Sequence, residues 1–231
     1  MRELSASEIL DVWERGRGRT LPERALELVA AGGYPESPEL LSVGERDALL
    51  VALRQLTLGA SLAAVVSCPS CAELLEVELA TADLRAEHAP LGAEPLELEL
   101  EGRRVRFRLP TAADLVAVAS AADVEEGRAL LLERCVLDGE LTPESAETLA
   151  ARMAEADPGA RVEFELACPG CGEEWSAPFD IASFFWAEVE ACARRVVRDV
   201  HALASAYGWR ESDVLALSAE RREAYLELVG A

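Results

Sequence analysis

The sequence predicts a mainly helical α+β fold: a split four-cysteine zinc ribbon, an inserted hairpin-plus-helices subdomain and a long C-terminal helix. Three observations carry this. Two C-P-x-C pairs, Cys68-Pro69-Ser70-Cys71 and Cys168-Pro169-Gly170-Cys171, each lie between strand-like runs. Alternating leucines and acids, then arginines, mark a hairpin between them. A helical stripe runs unbroken from about Ile181 to Tyr207.

Cysteines two residues apart can reach one metal together, and two such pairs supply the four ligands of a tetrahedral zinc site. The stretch from Ala72 to Ala167 is far longer than a zinc-ribbon loop, so it reads as an insertion between two ribbon halves. A redox reading would want the cysteines to open a helix in a βαβ context, and neither pair does so. The two pairs share one ion, or each meets its counterpart in a second chain. The division expected is 1–60 for N-terminal helices, 61–82 and 160–180 for the ribbon halves, 83–159 for the insert, and 181–231 for a helical C-terminal region.

Hydroxyl–glutamate pairs place the first helices: Ser5 with Glu8, Thr20 with Glu23, and Ser42 with Glu45 form capping boxes. Gly32-Gly33 and Gly59 are the stops. Leu49, Leu53 and Leu56 predict the buried face of the third helix. Trp13 and the Arg15 to Arg19 stretch read as a core tryptophan and a solvated loop, with a partner contact as the alternative.

In the ribbon halves, Leu75, Val77 and Leu79 alternate with Glu76 and Glu78. Val162, Phe164 and Leu166 alternate with Glu163 and Glu165, and both halves run into Asp83-Leu84 or Asp180-Ile181. In the insert, a two-residue turn including Gly102 sets Leu96, Leu98 and Leu100 opposite apolar partners and glutamates opposite arginines. Each such pair contributes roughly 0.2–1 kcal/mol. Three helices follow near Thr111, Asp123 and Thr142, with Cys135 on an apolar face. On the long helix, Phe185, Val189, Cys192, Val196, Val200, Leu203 and Tyr207 form the stripe. Glu190 pairs with Arg194 and Arg195 with Asp199 at i,i+4. Gly208 ends the helix, and two short helices follow, Val214 to Leu217 and Glu220 to Val229.

Composition removes whole classes of function. The 231 residues carry a net charge of −21, which argues against gripping nucleic acid or an anionic membrane. Every base is arginine, so lysine nucleophiles and P-loop lysines are excluded. The sequence shows neither a run long and apolar enough to span a membrane nor a signal peptide, and a cytoplasmic, soluble protein is expected. His88 and His201 stand apart from any catalytic pattern, and four cysteinates close a zinc shell. A non-enzymatic protein without a small-molecule substrate is expected.

The C-terminal text is the most specific. Val200-His201-Ala202-Leu203-Ala204, Tyr207-Gly208-Trp209, Asp213-Val214-Leu215-Ala216-Leu217 and Arg221-Arg222-Glu223-Ala224-Tyr225-Leu226 follow in order. This resembles the T-even-phage baseplate hub assembly chaperone family, with relatives in contractile injection systems, from about Leu41 onward. The resemblance implies a protein that builds or completes a baseplate hub by protein contact, with zinc as a structural option. The alternative function is a zinc-ribbon regulator of transcription machinery acting through protein contacts. Trp209, Arg210, Arg221, Arg222 and Tyr225 are the expected partner surface, since aromatics beside arginines carry interface energy. The plainer reading is that Trp209 and Tyr225 dock the last two helices onto the long one.

Overall fold

The N-terminal helices begin where the capping boxes lie. The computed structural model describes residues 1–34, 37–84, 95–100 and 103–230; His88 and Gly102, the glycine expected in the hairpin turn, lie outside them. Helix α1 (Ala6–Arg15) is closed by reciprocal bonds: the Ser5 amide donates to Glu8 and the Glu8 amide to Ser5 Oγ. Thr20 and Glu23 open α2 (Leu21–Ala31), and Ser42 and Glu45 open α3 (Val43–Leu58) in the same manner. Gly59, at φ 91°, stops α3 in a conformation that favours glycine.

The buried face of α3 differs from the leucine pattern. Leu53 is buried, but Leu56 is 50% exposed, and the face runs instead through Arg46, Leu50, Leu53 and Arg54. Arginines can sit there because their charges are matched at the edge while their stems pack as hydrocarbon. Arg46 pairs with Asp47 at 2.6 Å. Arg54 bridges Glu188 and donates to the Gly59 carbonyl, which caps the end of α3.

Strands β1 (Ser61–Ser67) and β2 (Leu74–Ala80) form the first hairpin; β3 (Leu96–Leu100) and β4 (Arg103–Phe107) form the insert hairpin. The insert register sets Glu97 opposite Arg106 and Glu99 opposite Arg104, with Leu98 facing Val105. Leu100 faces Arg103 rather than an apolar residue. Helices α4 (Ala112–Val118) and α5 (Val124–Cys135) follow, and β5 (Val136–Asp138) adds a third strand beside β4. Helix α6 (Pro143–Ala156) completes a small core of Val105, Phe107, Leu132, Cys135, Leu149 and Met153. Cys135 is thus a core hydrophobe. Buried Asp114 ties this unit together through Arg108 and Arg134. Burial opposes ionisation of Asp114, but those two guanidiniums and the Thr111 amide and hydroxyl hold its pKa below the carboxylate range.

Strands β6 (Val162–Ala167) and β7 (Glu174–Phe179) form the last hairpin, leading into α7 (Ile181–Tyr207), α8 (Glu211–Leu215) and α9 (Ala219–Gly230). The N-terminal helices and α7 share one larger core that includes Val12, Leu28, Leu50, Leu53, Phe185 and Val189. Phe185, Val189, Val196 and Leu203 are buried as the stripe predicts, and Cys192 packs half-buried at its edge. Trp186 and Ala193 are buried too, so the apolar face is broader than one stripe. Gly16 leaves room for the Trp186 ring, and the Arg24 guanidinium lies 4.8 Å above it. Trp13 is half-buried at the edge of this core, beneath Arg17.

The Glu190–Arg194 pair forms at 2.6 Å. The Arg195–Asp199 pair does not: Asp199 is engaged by Arg222 of α9 at 3.1 Å. A tertiary partner held in a half-buried setting displaces an exposed i,i+4 pair, which contributes little. The two cores meet where Asp157, just after α6, accepts the Gly44 amide at the start of α3, at 2.9 Å.

Candidate metal centre

Two antiparallel hairpins carry the cysteines. In β1–β2, Leu62 faces Leu79, Ala64 faces Val77 and Val66 faces Leu75; in β6–β7, Val162 faces Phe179, Phe164 faces Ala177 and Leu166 faces Trp175. Burial alternates along all four strands, so each hairpin has a half-buried face and an exposed, acid-rich one. The bases are anchored on the large core through Leu62, Leu79, Val162, Phe164 and Phe179. The tips bury little of themselves: Cys68 and Cys168 are enclosed, while residues 69–74 and 169–174 are exposed. Something else must hold them together.

Each tip is the same backbone turn. The Cys68 amide donates to the Glu73 carbonyl at 2.9 Å, and the Ala72 amide to the Cys68 carbonyl at 3.0 Å. In the second tip the Cys168 amide donates to Glu173 at 2.8 Å and the Gly172 amide to Cys168 at 2.9 Å. Each turn needs a left-handed residue after its second cysteine. Gly172 fills this place at φ 77°, and Ala72 fills it at φ 60°, the one described non-glycine residue with positive φ. Backbone amides of Ser70 and Cys71 point at the Cys68 sulfur, and those of Gly170 and Cys171 at Cys168. Such amides stabilise thiolate over thiol.

The turns bring all four sulfurs within 4.8 Å of one another, although the pairs are about 100 residues apart in the chain. Cys68 Sγ lies 3.7 Å from Cys171 Sγ, and Cys71 Sγ 3.6 Å from Cys168 Sγ. A tetrahedron of sulfurs about 2.3 Å from a central zinc has edges of about 3.8 Å. The donor set therefore fits one four-coordinate ion within a single chain. Cys68 and Cys168 are buried, Cys71 and Cys171 exposed.

Four thiols this close cannot all ionise without a cation. The Cys71 amide, above all, brings Cys68 down to about 7. Cys71, although the Glu73 amide favours its thiolate, is driven to about 12 by the neighbouring Cys171 and Cys68. Cys168 is raised despite its own amide bonds, by desolvation and Cys171. A divalent cation removes this conflict by neutralising the thiolates together. One further acid intrudes. Glu73 reaches across to the second tip, with Oε2 3.6 Å from Cys168 Sγ, in space left by the missing side chain of Gly170.

The other residues singled out in the sequence fall elsewhere. Tyr207 stacks on Trp209 at 4.8 Å, and Tyr225 of α9 meets both rings edge-on at 5.9 and 4.9 Å, docking the C-terminal helices onto the end of α7. Arg222 is buried against Asp199, whereas Arg210 and Arg221 are exposed. His201 is exposed on α7, far in sequence from the cysteine tips. Ala72's conformation and the crossing of Glu73 had no signal in the sequence except the alignment of Ala72 with Gly172.

The family described as T4 bacteriophage base plate protein matches residues 23–138, half of the chain. The chain belongs to this base plate family. The match begins upstream of Leu41 and ends before the C-terminal motif that resembles the hub assembly chaperones. It takes in Cys68 and Cys71, the insert hairpin, α4 and α5, but neither Cys168 nor Cys171. The cysteine quartet thus joins a segment that the base plate family describes to one beyond it. No curated protein and no solved structure matches the chain. No helix among the described residues is long and apolar enough to cross a membrane.

Proposed function

We propose that the chain is a non-enzymatic structural or assembly protein of a contractile-tail or injection-system baseplate hub, stabilised by one structural zinc. The observation that carries the role is membership of the base plate family. The closed set of four cysteines supports a metal that braces rather than catalyses, since a catalytic zinc keeps an open position. Cys68, Cys71, Cys168 and Cys171 would hold the ion, which supplies the cohesion that the hairpin tips lack. The hub and chaperone role rests on the resemblance of the C-terminal segment to hub assembly chaperones.

The partner surface proposed is the exposed side of α8 and α9. Trp209 and Tyr225 shape it from below, while Arg210 and Arg221 offer exposed cationic heads on an acidic chain. Arg222 is a structural part of this surface because it holds α9 to Asp199. The test is co-expression with tail-tube and baseplate-hub proteins encoded in the same genome, followed by affinity capture. Co-purification that is lost in Arg210→Glu/Arg221→Glu, at unchanged melting temperature and zinc content, supports the reading. Capture of none of them, together with normal particles from a strain lacking the gene, rejects it.

A further inference from the structure

Each of the four sulfurs lies within 4.8 Å of the other three, and the two approaches within hydrogen-bond range cross between the tips. The exposed sulfur of each tip has, as a close neighbour, the buried sulfur of the other tip: Cys71 lies 3.6 Å from Cys168, and Cys171 lies 3.7 Å from Cys68. An exposed thiolate is the one a small oxidant reaches first, and a second thiolate beside it is the one that captures the product. Here that second thiolate belongs to the opposite hairpin. We propose that Cys71 and Cys171 are oxidation sites for a hydroperoxide, resolved by Cys168 and Cys68, so that two disulfides between the hairpins replace the metal. The inference rests on the zinc reading for the starting state.

The chemistry balances with the peroxide as oxidant. The Cys71 thiolate attacks one peroxide oxygen, the O–O bond breaks, and hydroxide leaves to take a proton as water. The Cys168 thiolate then attacks the resulting sulfenic sulfur, the S–O bond breaks, and a second water forms. Each disulfide takes up one peroxide and two protons, and the two sulfurs together lose two electrons. Cys171 and Cys68 repeat the steps. Four thiolates consume two peroxides and four protons, giving two disulfides and four waters, and the ion loses its ligands.

The pairing matters for the architecture. Disulfides within each C-P-x-C would release the tips from each other and undo what the ion does. Disulfides across the tips keep both hairpins joined after the ion has gone. Cys135 is fully buried in the insert core and Cys192 is half-buried on α7, so neither competes at the exposed tip.

The experiment treats the zinc-loaded full-length chain with hydrogen peroxide, following zinc release with a chromogenic chelator. Peptides are then mapped by mass spectrometry without reduction. The expected result is one zinc released per two peroxides, with Cys71 linked to Cys168 and Cys68 to Cys171, and Cys135 and Cys192 still reduced. Cys71→Ser should retain only the Cys68–Cys171 link. Links within Cys68–Cys71 and Cys168–Cys171, links between chains, or sulfinic acid as the main product would overturn the proposal. Mapping the same links in chain that carries no zinc as purified would uphold the pairing while rejecting the metal reading, so the two fail separately.

Discussion

The two cysteine tips share a turn, a hydrogen-bond pattern and a division into one buried and one exposed sulfur, yet they are not equivalent. The second is glycine-rich: Gly170 leaves space for a neighbour's side chain, and Gly172 takes up the left-handed conformation without strain. The first has Ser70 and Ala72 at the same places, and Ala72 holds the same conformation with a Cβ. It also sends Glu73 across to the second tip, a reach that Glu173 does not return among the described contacts. The demand for four converging sulfurs is common to both. The backbone cost of meeting it falls mainly on the first tip, about 1–2 kcal/mol at Ala72.

The largest effect expected breaks the equivalence at its root. Cys68→Ser and Cys168→Ser should each abolish metal binding and lower the melting temperature to a similar extent, on the order of 10 °C. The two apolar cores should keep the chain folded. Cys135→Ser and Cys192→Ala leave the tips untouched and should cost only about 1 kcal/mol each. Thermal melts beside elemental analysis check this. A similar loss at all six cysteines would show that the quartet has no special place in stability.

Glycine placement gives the next test. Gly172→Ala should destabilise by about 1 kcal/mol through the left-handed backbone alone, since nothing lies within 4 Å of its added Cβ. Ala72→Gly should stabilise by a somewhat smaller amount, because glycine also frees the unfolded chain. The double variant should return close to the starting stability in chemical denaturation. A destabilising Ala72→Gly would mean that the first tip is held by contacts that compensate its strain.

The smallest effect concerns Glu73. Its carboxylate beside Cys168 suits a thiol and opposes a metal-bound thiolate. Glu73→Gln should therefore tighten zinc binding a few-fold in competition with a chelator, whereas Glu173→Gln should not. Equal effects would place both carboxylates too far from the sulfurs to matter.

Much of this was legible because the signals are local. Capping boxes, the long stripe and the alternating strands depend on neighbours three or four residues away, and they appear where the periodicity places them. The duplicated C-P-x-C spacing announced the tips, and the structure brings them together across the insert. What escaped depends on partners distant in sequence. Arg54 is buried because Glu188 meets it, and Asp199 leaves Arg195 because Arg222 arrives from α9. Strand β5 exists because β4 offers it an edge, with no alternating pattern of its own to reveal it.

One ion should close both tips within one chain. Native mass spectrometry of protein purified without chelator, with elemental analysis of the same sample, tests it directly. The expected species is a monomer carrying one zinc, lost when any one of Cys68, Cys71, Cys168 or Cys171 is replaced. A zinc-free monomer, or zinc found only in dimers, would contradict it.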